Sequence, residues 1–343
     1  MGKIKTDNLT MEIGFGLSSF MSIFTYAVCI SAVLGQGLFA ILGISVICAL
    51  CSLKLRRGIY CPTPLFIVPL FYVCSDYFLT LIAIALGGIM FYAEKTLFPA
   101  LKLKPKLKAA CFIIIAIFGT ILLTNDYFGI GAQATSPFYM LKAYKSLGFH
   151  PNFTGLLTGT ITLFMMITYP FKFKKLNKYI PAEFISLAVP FIINLILNPD
   201  KSYTTINEAY TLEAISLPNS FTFSSLINHP SFSAFVYSLL LFLPLPIMFN
   251  IFFIIVFSDS DSYSDDLKVN APTAFFGGII KEREARGYTL ISAFTVIALS
   301  VISVFLLPNL LSRISLHSIG ALLIVSLWQQ IPFKSLKRRT ENG

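Results

Sequence analysis

Charge is scarce in this chain. Only 12% of its 343 residues are Asp, Glu, Lys or Arg, against 56% hydrophobic residues, and the mean hydropathy is +0.77. A water-soluble domain of that size needs far more polar surface to cover its core, so the ordinary soluble classes are excluded. Histidine is scarcer still, and His150, His229 and His317 are too scattered to form a ligand set. The cysteines Cys29, Cys48, Cys51, Cys61, Cys74 and Cys111 lie in or beside apolar runs without metal-knuckle spacing. They read as small core hydrophobes, not as ligands or disulfides. No GxSxG elbow, HExxH helix or phosphate-binding glycine loop occurs, which argues against an enzyme and leaves no cofactor or metal to expect. No basic stripe interleaved with aromatics lies outside the apolar runs, so the net charge of +10 does not point to nucleic acid.

What the chain has instead is a series of long apolar runs. A helix crossing the hydrocarbon needs about 20 apolar residues. Such runs occupy 13–34, 36–53, 77–94, 109–124, 153–170, 180–198, 232–257, 288–307 and 315–331, with a shorter one at 60–74. The expected fold class is therefore an all-α polytopic membrane protein, with about ten crossing helices plus re-entrant or half-helix segments. It forms a single transmembrane domain over 1–343 with no soluble domain. Switching sides at each run puts every Lys and Arg on one face of the membrane except Lys142, Lys145, Lys201 and Arg313. The positive-inside rule makes that face cytoplasmic and places both termini there. A bacterial inner membrane is the expected setting. The first run is too long for the apolar stretch of a cleavable leader. The loops 125–152 and 199–231 then lie outside and read as surface caps.

Two runs are interrupted. CPTPLF (61–66) begins the short run at 60–74, where proline forbids a regular helix start. NAPTAFFGG (270–278) lies between Lys268 and Lys281, which share a side, so 269–280 re-enters or lies along the membrane. Irregular backbone at membrane depth is tolerated only when buried in protein or lining a wet cavity. A pair of such interruptions, one in each half, points to a transport site. Within 232–257, Asn250 is the one strongly polar side chain near mid-depth. It can hydrogen-bond a substrate or a neighbouring helix but cannot carry a proton. The cluster Asp259, Asp261, Asp265 and Asp266 reads as a solvated loop ending a helix. A Mg²⁺-dependent membrane transferase is the alternative it raises, and no second acidic cluster faces it.

Several local patterns, in order along the chain, resemble the SulP (sulfate permease) anion transporters. They are Tyr26-Ala27 with Gly37-Leu38 in FTYAVCISAVLGQGLFA, Cys61-Pro62-Thr63 in place of Gly-Pro-Thr, and Ile180-Pro181 in YIPAEFISLAVP. Further on come Gly277-Gly278 in AFFGGI and the stretch ISLHSIGALLIVSLW from Ile314 to Trp328. The resemblance implies two inverted repeats, a core domain sliding against a gate domain, and an anion held between half-helix N-termini. Those termini present free N–H groups and a positive dipole end. It implies a core of 13–94 with 232–307 and a gate of 109–198 with 315–331.

The implied function is secondary transport of a small inorganic or organic anion of the sulfate or bicarbonate class. The implied substrate contacts are Ser22, Tyr26, Pro62, Thr63, Phe66, Asn250, Gly277 and Gly278. The partners are that anion and the lipid bilayer, and a homodimer is compatible with the fold. The chain departs from the family pattern in four places. Asn250 stands where the family has a carboxylate, and Ser22 where it commonly has a glutamine. The stretch after Gly278 shortens the tenth half-helix, and the last gate helices and the STAS domain are expected to be missing. These departures motivate a second reading, a non-transporting degenerate permease acting as a membrane scaffold or assembly partner. A uracil-permease-like transporter would share the same hydropathy.

Overall fold

The computed structural model describes residues 6–33, 38–55, 105–132, 137–148, 150–197, 290–311 and 313–329. All the regular structure among them is helical: α1 (Thr6–Val33), α2 (Leu38–Leu55), α3 (Pro105–Phe128), α4 (Pro137–Leu147), α5 (Phe153–Lys172), α6 (Ala182–Leu197), α7 (Leu290–Leu306), the short α8 (Pro308–Leu311) and α9 (Leu316–Gln329), with one 3₁₀ turn at Leu176–Lys178. Each apolar run that falls on described residues is a helix, with ends within four residues of those expected except at the start of α1, which begins seven residues early. A second departure lies in the loop 125–152, which contains the additional helix α4. The runs at 60–74, 77–94 and 232–257, the re-entrant stretch 269–280 and the aspartates at 259–266 lie outside the described residues.

Helix ends follow local chemistry. The side chain of Asn152 accepts the Gly155 N–H at 3.2 Å and opens α5, while Asn177 Oδ1 accepts the Ala182 N–H at 2.9 Å and opens α6. At the end of α3, Gly129 takes φ +65° and the Ile130 N–H reaches back to the Asn125 carbonyl at 3.2 Å. That is the Schellman arrangement, which needs a left-handed residue just past the helix.

The helices pack in two groups. In one, α7 lies against both α1 and α2, which also touch each other; in the other, α9 lies against both α3 and α5, and α5 against α6. Contacts of α1 with α6 and α9 join the groups. One continuous core results, running from Ile23, Ala27 and Ile30 through Ile44 and Val296 to Leu123, Met166, Ile319 and Leu323.

Small residues set the closest approaches. A Cβ at Gly16 would lie 2.7 Å from Thr295 Cβ, and one at Gly320 only 2.6 Å from the Tyr127 backbone nitrogen. Helices without a hydrophobic force between them associate through this close packing. The outward faces are apolar as well: Ile114, Phe118, Phe164, Ile167, Ile196, Phe294, Ile302 and Phe305 are all exposed. Helices apolar on both faces suit a lipid surround and not water. Along the same helices the hydroxyls of Thr120, Thr124, Thr160, Thr168 and Thr295 bond back to carbonyls one turn earlier. Those bonds satisfy polar groups where no water would.

Candidate functional site

Of the expected contact residues, Ser22 and Tyr26 are described. Pro62, Thr63, Phe66, Asn250, Gly277 and Gly278 lie outside the described residues. Ser22 and Tyr26 sit one turn apart on α1, so their side chains share a face. Both are buried, Ser22 completely. Neighbouring hydroxyls on α1 are used up locally: Ser19 bonds to the Phe15 carbonyl and Thr25 to the Met21 carbonyl. Ser22 Oγ differs, having no hydrogen-bond partner among the described residues, a condition it shares with Ser31, Ser45, Ser300 and Ser318. A buried hydroxyl without a partner costs about 1–3 kcal/mol, so this position favours something polar arriving beside it.

Tyr26 reaches across the boundary between the two helix groups. Its hydroxyl lies 3.0 Å from Ser326 Oγ on α9 in a buried contact. Ser326 donates its own hydrogen to the Leu322 carbonyl at 2.8 Å, so in the Tyr26 pair the tyrosine is the donor. A second bridge, Ser18 Oγ donating to the Tyr179 carbonyl at 2.9 Å, ties α1 to the turn before α6. Hydrogen bonds between apolar membrane helices are worth about 0.6 kcal/mol on average. Tyr26→Phe should therefore lower stability by less than about 1 kcal/mol, because Ser326 keeps its bond to Leu322. Thermal unfolding in detergent checks this, and a much larger loss would mean that the hydroxyl carries more than this bridge.

A polar set that the sequence reading missed lies where α3, α5 and α9 converge. His317, on the first turn of α9, is fully buried, with Nδ1 2.9 Å from the Tyr127 carbonyl. A carbonyl only accepts, so Nδ1 carries the hydrogen. The ring occupies a slot made by two glycines. A Cβ at Gly155 would come within 2.0 Å of Nε2, and one at Gly129 within 2.6 Å of Cε1. Beside it, Ser315 Oγ donates to Thr158 Oγ1 at 2.9 Å, since Thr158 gives its hydrogen to the Gly155 carbonyl. Asp126, next to Tyr127, is buried too, and its carboxyl accepts from the Asn125 side-chain amide at 3.2 Å. Asp126 escaped notice because it lies just past the end of the apolar run 109–124, and His317 because it stands alone in sequence. One signal was available, the Gly155-x-x-x-Gly159 spacing, which marks a face for close helix contact. Both glycines face His317, Gly159 at its carbonyl oxygen.

Among the described residues no group of three His, Cys, Asp or Glu side chains could hold a metal ion. Cys29 and Cys48 are buried, and neither they nor Cys111 form a disulfide among the described residues.

By sequence alone the chain matches no family model and no curated protein. Solved structures do match. The transmembrane domain of a cyanobacterium bicarbonate transporter, BicA, superimposes with a TM-score of 0.64 at 17% identity, over 98% of this chain and 91% of that one. The murine Solute Carrier 26 family member A9 (Slc26a9) anion transporter, in its inward-facing state, superimposes with a TM-score of 0.57 at 14% identity. That alignment spans 98% of this chain and 63% of the murine one. The chain thus has the membrane-embedded helical fold seen in these two transporters.

Proposed function

We propose that this protein is a secondary transporter of a small anion, of the sulfate or bicarbonate class. The observation that carries the reading is the shared fold over 98% of the chain with two proteins described as anion transporters, one of them for bicarbonate. The closer packing of α1, α2 and α7 with one another, and of α3, α5, α6 and α9 with one another, supports a core (13–94 with 232–307) moving against a gate (109–198 with 315–331). The substrate would sit where the interrupted segments start. There the N–H groups of Thr63, Leu65 and Phe66 and those of Gly277 and Gly278 would face it, with Ser22, Tyr26 and Asn250 as hydrogen-bonding side chains. Backbone N–H groups at a half-helix start suit an anion without any lysine in the membrane. Ser22, buried with an unengaged hydroxyl, supports a polar ligand at that depth of α1. Asn250 orients but takes up no proton, so coupling to protons through this position is not part of the reading. The positive-inside bias supports both termini in the cytoplasm.

Purified protein in liposomes should take up labelled bicarbonate or sulfate above empty-vesicle background. Uptake of neither these nor chloride or dicarboxylates would sink the proposal.

A further inference from the structure

The helix α4 has no task in the transport reading, and its surface is distinctive. It follows the turn that ends α3 and folds back along that helix. Tyr144 donates its hydroxyl to the Ile121 carbonyl at 2.8 Å, and Met140 is buried against Leu122 and Ala132. Ile121 lies seven residues before the end of α3, about 10 Å inward along its axis. The 24 residues of α3 span about 36 Å against a ~30 Å hydrocarbon, leaving about one turn outside it. Two lysines in eleven residues set α4 near the boundary between hydrocarbon and headgroups, its buried side toward α3.

The other side of α4 carries Phe138 and Tyr139, 64% and 61% exposed, with Leu141, Lys142 and Lys145 also exposed. Lys142 Nζ stands 5.0 Å from the Phe138 ring centroid and 5.8 Å from that of Tyr139. The segment PFYMLKAYKSL contains no acid. Exposed aromatics with Lys142 over them, Lys145 exposed nearby on the same helix and no negative charge match a helix lying in a membrane interface, rings toward the acyl chains and ammonium groups toward phosphate. They also account for a feature of the threading. Lys142 and Lys145 are half of the four basic residues on the less basic side, and a leaflet phosphate would give them a partner there.

We infer that α4 is a binding surface for an anionic phospholipid headgroup in the leaflet where α3 ends. Lys142 and Lys145 pair with the phosphate, and Phe138 and Tyr139 seat against the upper acyl chain. This rests on the membrane reading of the fold.

Tryptophan fluorescence tests it, because the chain has one tryptophan, Trp328. The native protein and an F138W/W328F variant are placed in bilayers containing brominated phosphatidylglycerol or brominated phosphatidylcholine at equal mole fraction. The variant should be quenched more strongly by the anionic lipid, and more by bromines high on the acyl chain than by bromines near its end. Adding K142Q and K145Q should reduce the preference for the anionic lipid roughly fivefold for each lysine removed. Equal quenching by the two lipids, or a preference unchanged by the lysine substitutions, overturns the inference. Quenching by aqueous iodide but not by lipid overturns it as well. If Trp328 in the native protein is quenched by brominated lipid and F138W/W328F is not, the surface fails alone. If neither is quenched, the membrane reading fails with it.

Discussion

Gly155→Ala should destabilise the protein by about 3 kcal/mol, and His317→Ala in the same chain should remove most of that penalty. In an isolated helix the glycine-to-alanine change stabilises by about 1 kcal/mol, so the sign here is set entirely by packing. The new Cβ would fall within 2.0 Å of Nε2, 2.2 Å of Cδ2 and 2.8 Å of Cε1 of the His317 ring. The ring cannot swing away, because Gly129 closes its other side and Nδ1 is held at the Tyr127 carbonyl. Relief therefore requires α5 and α9 to separate, and both belong to the continuous core. His317→Ala alone should cost about 2 kcal/mol through lost packing and the lost hydrogen bond. In that background Gly155→Ala should be neutral or mildly stabilising. The buried thiols of Cys29 and Cys48 report unfolding through their reactivity with a maleimide dye during heating. Additive losses in the double variant would show that the ring and the glycine do not share this slot.

The second large effect concerns transport. Asn250→Leu and Thr63→Trp should each lower anion uptake into liposomes more than tenfold, a loss above about 1.4 kcal/mol in the rate-limiting barrier. The leucine removes the one strongly polar side chain of the run 232–257, leaving the anion a poorer exchange for its water. On the proposed site, the indole would obstruct access to the N–H groups of Leu65 and Phe66. Neither change should alter thiol reactivity below the unfolding transition, which separates lost transport from lost fold. Unchanged uptake in both variants would remove the proposed site. A chain that transports nothing, yet co-purifies as a stable complex in mild detergent and tolerates both substitutions, would be the scaffold instead.

Much of the architecture was readable without coordinates. The run 109–124 became Pro105–Phe128, 153–170 became Phe153–Lys172, and 288–307 became Leu290–Leu306. Run length and apolarity report the solvent a helix occupies, and that property is local. Helix α4 was not legible, because eleven residues with Lys142 and Lys145 among aromatics have too little apolar length to register as a crossing. Its position depends on α3 offering the Ile121 carbonyl and the Leu122 side chain. The polar set around His317 was hidden for a related reason. Tyr127, Gly155 and His317 are far apart in sequence, and each is unremarkable in its own segment.

The sequence by itself determined that the apolar runs among the described residues are helices, and where most of them begin and end. Those features follow from the free energy of single segments against their surroundings. Only the tertiary structure decided the partners: that α7 packs beside α1 and α2, that α9 lies against both α3 and α5, and that Tyr26 meets Ser326 across the two groups. Uniformly apolar helices gain nearly the same from any neighbour. The choice falls to a few close contacts at Gly16, Gly155 and Gly320 and to a few buried hydroxyls, whose pairing no single segment can express.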